Sequence, residues 1–192
     1  MKRLWPVALM ALLLLAGIGG GTTLALFTAQ GASSSNQITA GTLQIAADRD
    51  NGDSVPGPMF YIGSGSGLQP TGLWAPGDEF RRVLQVENTG TLDAWLKQVR
   101  ASLDSGSRAL ADKVAVKVTT DPAGSQVVAQ GTLGQFIDAD QAFLGGPIAA
   151  AVGDVIDLHF WVRLPLDADN SYQGLGSVVT FSVYAEQKAH NP

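Results

Sequence analysis

Apolar and polar residues alternate along much of this chain with the period of two that a half-buried β-strand requires. The clearest run is Val155 to Leu164, where Ile156, Leu158, Phe160, Val162 and Leu164 share one face and Asp157, His159, Trp161 and Arg163 the other. Ser177 to Gln187 repeats the pattern, with Val179, Phe181, Val183 and Ala185 facing inward. Phe80 to Asn88 reads as a central strand carrying Phe80, Leu84 and Val86 on one face, which Arg82 interrupts. Lys113 to Thr119 sets Val114, Val116 and Val118 against Lys113, Lys117 and Thr119. Further strands are expected over Ile38–Ala46, Met59–Ile62, Ala94–Leu103 and Ser125–Gln130. Between Gly131 and Ala142 the alternation loosens, and Leu133, Phe136 and Ile137 stand at helical spacing, so one short helix is expected there.

Short alternating strands joined by turn residues, with 23 glycines and nine prolines in the chain, predict an all-β fold of two antiparallel sheets packed face to face. The expected class is a β-sandwich of jelly-roll type, or alternatively immunoglobulin-like, with at most one or two short helices. No long helices separate the strands, which excludes a parallel doubly wound sheet. The chain has no cysteine, so burial and hydrogen bonding must hold it together without disulfides or thiolate metal sites.

The beginning departs from this pattern. Lys2 and Arg3 precede an apolar run from Leu4 to Ile18, followed by Gly19-Gly20-Gly21-Thr22-Thr23-Leu24-Ala25-Leu26-Phe27. A basic start, an apolar stretch and a small residue at a cut site describe a secretory signal peptide over residues 1–25, cleaved between Ala25 and Leu26. An uncleaved membrane anchor is the competing reading, weakened by the three glycines and by the lack of a basic cluster after them. The expected organisation is then a polar N-terminal segment 26–38, a sandwich domain 39–187 and a short tail 188–192. The membrane is a partner only through the signal, before cleavage.

The formal net charge of −5 becomes more acidic once Lys2 and Arg3 leave, which makes nucleic acid an unsuitable partner. Catalytic chemistry finds little footing. His159 and His190 are the two histidines, far apart and in no ligand motif. The acidic run Asp48-Arg49-Asp50-Asn51-Gly52-Asp53 fails the calcium-loop spacing, with Gly52 one position early. Gly63-Ser64-Gly65-Ser66-Gly67 puts glycine where a nucleophile elbow needs serine. Trp74, Trp95 and Trp161 could form a sugar-stacking platform, although tryptophans in strands more often pack across strands. No enzyme, cofactor or metal site is expected.

Several separated segments together resemble the TasA and camelysin family, exported with a dedicated SipW-type signal peptidase. They are the Gly19–Phe27 stretch, Thr39-Ala40-Gly41-Thr42-Leu43-Gln44-Ile45, Leu73-Trp74-Ala75-Pro76-Gly77-Asp78, Val86-Glu87-Asn88-Thr89-Gly90-Thr91-Leu92 and Asn170-Ser171-Tyr172-Gln173-Gly174. The motif residues are Gly41, Thr42, Leu43, Pro76, Gly77, Asp78, Asn88, Gly90, Tyr172, Gln173 and Gly174. The resemblance implies a secreted jelly-roll subunit of fibres in a biofilm matrix or on the cell surface. It implies head-to-tail self-assembly by donor-strand exchange, with Leu26, Phe27, Ala29 and Ile38 in the donor. It adds the signal peptidase as a partner and allows an accessory or anchoring matrix protein. Two other classes stay open: a camelysin-like cell-surface metallopeptidase, and a monomeric surface adhesin or glycan-binding module.

Overall fold

The computed structural model describes residues 32–33, 36–37, 42–49, 59–60 and 71–188. The chain divides into two units, residues 1–41 and 42–192. In the first, strand β1 (Ala32–Ser33) pairs antiparallel with β2 (Asn36–Gln37).

The second unit is the sandwich. Its larger sheet contains β3 (Ile45–Arg49), β4 (Glu79–Asn88), β6 (Ala115–Thr119), β7 (Val127–Thr132) and β10 (Val155–Arg163), in the order β3-β4-β10-β6-β7. The smaller sheet is built on β5 (Ala94–Gly106), which pairs on one edge with β11 (Ser177–Gln187) and on the other with the short β8 (Gln141–Ala142) and β9 (Ile148–Ala150). Every pairing is antiparallel. The protein is an all-β sandwich, with two short α-helices among the described residues, α1 (Arg108–Lys113) and α2 (Leu133–Asp138).

Consecutive strands β4 and β5 pair with β10 and β11 in the same order. That is the B–E and C–F pairing of the immunoglobulin-like alternative. In that lettering β11 is strand F, and no described strand stands beyond it in the place of G.

The core follows the alternation. Val114, Val116, Val118, Leu158, Phe160 and Val162 are buried as their spacing predicts. Phe160 meets Phe181 across the sandwich with ring centroids 4.9 Å apart, which places β11 over β10. On one side the sheets are tied together, since the Phe143 amide donates to the Lys97 carbonyl of β5 and the Leu144 amide to the Val128 carbonyl of β7. Arg82 is accommodated on its apolar face because its Nε donates to the Met59 carbonyl at 3.1 Å.

Four expectations are corrected. The strand placed at Ile38–Ala46 begins only at Ile45 among the described residues, because the backbone of 42–44 is engaged by a turn described below. Met59 and Phe60 form a bend, with Phe60 edge-on to Trp74, rather than a strand. Lys113 ends helix α1 instead of opening a strand, since Ser107 accepts from the Leu110 amide and starts a helix over Ala109-Leu110-Ala111. His159 points away from the core as its parity requires, yet it is 6% exposed between Val83 and Thr119 in the ladder. Helix α2 forms where expected, closed by a capping box between Thr132 and Gln135.

Two outcomes follow. Phe160→Ala, which empties the contact between β10 and β11, is expected to cost about 3–5 kcal/mol in urea denaturation. The Asp121 carboxylate accepts from the Gln126 and Ser125 amides and the Ser125 hydroxyl, which lowers its pKa from 3.8 to about 2. A depressed carboxylate contributes stability above its unfolded value and loses it as pH falls through the folded one. The Ser125 and Gln126 amide shifts should therefore hold from pH 7 to about 3.8 and move as the pH approaches 2.

Candidate functional site

The turn between β4 and β5 gathers several buried polar contacts around one side chain. Asn88, the last residue of β4, is fully buried. Its side-chain nitrogen donates to the carbonyls of Leu92 and Ala150, each at 2.9 Å, and its oxygen accepts from the Gly90 amide at 3.1 Å. Its own backbone exchanges hydrogen bonds with the 153–154 turn, Asn88 N donating to the Asp154 carbonyl and Gly153 N to the Asn88 carbonyl. One amide side chain thus satisfies a turn, the entry of β5 and the end of β9, which is why a polar residue is tolerated in that position.

The turn held by Asn88 receives the chain that enters the sandwich. The amides of Thr89 and Gly90 both donate to the Gln44 carbonyl, the Thr91 amide to the Thr42 carbonyl at 2.8 Å, and the Thr42 amide to the Thr91 hydroxyl at 2.8 Å. A Cβ at Gly90 would collide with the Thr42 carbonyl oxygen and lie 2.8 Å from the Gln44 nitrogen, so only glycine admits the incoming strand at this separation. Thr42 and Gln44 therefore form one clamp with Asn88, Gly90 and Thr91, distant in sequence. Leu43 itself stays exposed.

Pro76, Gly77 and Asp78 sit at the opposite end of the sandwich, where β4 begins and β10 ends. The Gly77 amide donates to the Leu164 carbonyl at 2.7 Å and the Leu164 amide to the Asp78 carbonyl at 3.0 Å, while the Asp78 carboxylate accepts from the Ala75 amide. Gly77 has φ +99°, and a Cβ there would press on Leu166. Tyr172, Gln173 and Gly174 belong to the loop that leads into β11. Asp169 starts this loop by accepting from the Ser171 amide and hydroxyl, and Lys113 Nζ lies over the Tyr172 ring. The ion pair of Lys113 with Asp167 raises the lysine pKa and lowers that of the carboxylate.

The remaining sequence candidates do not converge. Trp74 packs inward against Phe80, Trp95 stands under Lys188 on the outer side of the smaller sheet, and Trp161 lies outside the larger sheet between Arg81 and Lys117. Three tryptophans on three faces make no common platform. His159 keeps an Nδ1 without a hydrogen-bond partner. Among the described residues no three of His, Cys, Asp and Glu are grouped to hold a metal, and no helix is long and apolar enough to cross a membrane. Ala25, Leu26, Phe27, Ala29, Ile38, Gly41 and His190 lie outside the described residues. Sequence reasoning quoted the clamp's pieces but missed their meeting; the glycine two residues after a buried asparagine was its only local signal.

No family model matches this chain, and no curated protein does. Among solved structures it is similar to one titled "AvmM Catalyzes Macrocyclization in Alchivemycin A Biosynthesis", at 11% identity and a TM-score of 0.33, over 77% of this chain and 90% of that one. A likeness of that strength carries no argument about function.

Asn88→Ala takes the side-chain donor from the Leu92 and Ala150 carbonyls and leaves the Gly90 amide only its bond to Gln44, and it should lower stability by roughly 2–3 kcal/mol. Gly90→Ala should release the incoming chain, read as faster hydrogen exchange at the Thr91 amide with the core amides of β10 unchanged.

Proposed function

We propose that this protein is a secreted structural subunit of fibres in a biofilm matrix or on the cell surface, and that it polymerises by donor-strand exchange of the N-terminal segment 26–38. The observation that carries this reading is the clamp. The motif pieces around Thr42 and Asn88, quoted from the sequence as TasA- and camelysin-like, fix where the N-terminal segment joins the sandwich. A segment that must leave its own subunit and enter another needs such a root, because binding energy at its far end is otherwise lost to the motion of the tether.

In this reading a SipW-type signal peptidase frees Leu26 after export, so assembly is confined to the outside of the cell. The contact is head to tail and does not close on itself, which gives a filament. An accessory or anchoring matrix protein fits at the filament's base.

The test is negative-stain electron microscopy of residues 26–192 beside a chain that begins at Thr39. Fibres from the first and monomers from the second are expected. Monomers from both would favour the adhesin, and metal-dependent proteolysis by either would favour the peptidase.

A further inference from the structure

On the outer face of the larger sheet one tryptophan stands between two cations. Trp161 of β10 lies directly opposite Arg81 of β4 and Lys117 of β6, and Lys117 lies opposite Gln130 of β7, so the four make one row across four strands. The Arg81 guanidinium carbon is 5.6 Å and Lys117 Nζ 4.6 Å from the same indole centroid. Neither cation has a carboxylate partner among the described residues, whereas Lys97, Arg100, Arg108 and Lys113 each have one. Asp157 on the same face accepts from Gln85 instead, and Asp121 in the turn after β6 accepts from the Ser125 and Gln126 amides. Two like charges beside one ring repel each other, so attraction to the ring does not by itself account for the pair.

The row is held in place before any ligand arrives. Trp161 Nε1 donates to Thr119 Oγ1 at 3.2 Å, and Arg81 Nη1 donates to the Pro122 carbonyl at 2.8 Å. The 121–124 turn closes against the ring, since a Cβ at Gly124 would lie 3.1 Å from both the indole and Lys117 Nζ. Arg81 and Gln130 are exposed, and Trp161 and Lys117 are half-buried. Groups fixed in this way lose little freedom when they bind.

We propose that this row binds an acidic polysaccharide, a chain of sugars that carry carboxylates. The indole offers an apolar surface to a sugar ring, Arg81 and Lys117 take carboxylates on either side of it, and the Gln130 amide reaches a hydroxyl. Neighbouring strands are about 4.8 Å apart, which sets the backbones of Arg81 and Lys117 roughly 10 Å from each other. That spacing suits charges repeated along an extended polymer better than one small anion. A nucleic acid would need a succession of stacking faces and many neutralised phosphates, and one ring with two cations supplies neither. The net charge of −5 does not forbid the contact, because charges more than about 8 Å away are largely screened at physiological salt.

The site is independent of the fibre reading, and its test does not need fibres. The chain from Leu26, which contains the whole sandwich unit, is titrated in a calorimeter with an oligogalacturonate, a neutral glucan of equal length, a single-stranded oligonucleotide and inorganic sulfate. Binding of the oligogalacturonate alone is expected, together with a shift of the Trp161 indole N–H resonance. Lys117→Gln, which removes a head group that makes no hydrogen bond, should weaken binding about tenfold, and Lys117→Arg should restore it. Trp161→Phe should weaken it too, while Lys97→Gln on the other sheet should leave it unchanged. No binding of the oligogalacturonate, binding that Lys117→Gln does not alter, or binding that leaves the Trp161 resonance in place would overturn the site. Equal binding of the glucan or of sulfate, or tighter binding of the oligonucleotide, would overturn the acidic polysaccharide as its ligand.

Discussion

The constraint that organises this molecule is a mismatch in width between its two sheets. The larger sheet has five strands with an apolar inner face, but the smaller one offers only two long strands, β5 and β11, to cover it. The uncovered area has to be closed by other means, since exposed apolar surface costs about 25 cal/mol per Å². On one flank helices α1 and α2, bringing Ala111, Leu133 and Phe136, and the segment holding Phe143 do so. On the other flank Met59, Phe60 and Trp74 lie against the face of β4. Among the described residues no strand pairs with the other edge of β11.

Helix–helix contact on the closed flank shows how tightly that filling is specified. Arg108 reaches from α1 to make a paired contact with Asp138 of α2 and a further bond to Asp112, which raises its pKa. Gly134 lets the two helices approach where any side chain would strike Asp112. The clamp at the opposite end uses the same device with different chemistry: a glycine permits the approach and a saturated polar side chain holds it. Asn88 supplies directed hydrogen bonds where an apolar residue of its size would leave two carbonyls dry.

Most of the fold could be read from the chain because strands obey a period of two. β4, β10 and β11 lie where the alternation of Phe80, Phe160 and Phe181 puts them. Connectivity could not be read, since the same alternation serves a jelly roll and an immunoglobulin-like sandwich, and only the pairing of β4 with β10 and β5 with β11 separates them. His159 shows a second limit. Periodicity gives the face a residue points to, but not that His159, between Val83 and Thr119 in the ladder, is buried there. Helix α1 escaped because six residues are too few to establish a period, and its only mark was a serine cap. The clamp escaped because its halves are separated by 49 residues, and no local rule joins Thr42 to Thr91.

Charge and apolar surface are distributed differently over the sandwich's faces and ends. On the broad faces two half-buried tryptophans lie under cations, Lys117 and Arg81 flanking Trp161 at 4.6 and 5.6 Å and Lys188 lying 5.1 Å over Trp95, while Tyr184 stands exposed on β11. Lys97 with Glu186 and Arg100 with Asp140 add ion pairs to the outer side of the smaller sheet. Exposed pairs of this kind add little stability, but side-by-side association would have to desolvate them, and that is costly. The two ends carry instead bare leucine and valine at Leu73, Leu166, Leu43 and Val152. Contact at these apolar ends would carry no such desolvation cost, whereas contact at the charged faces would.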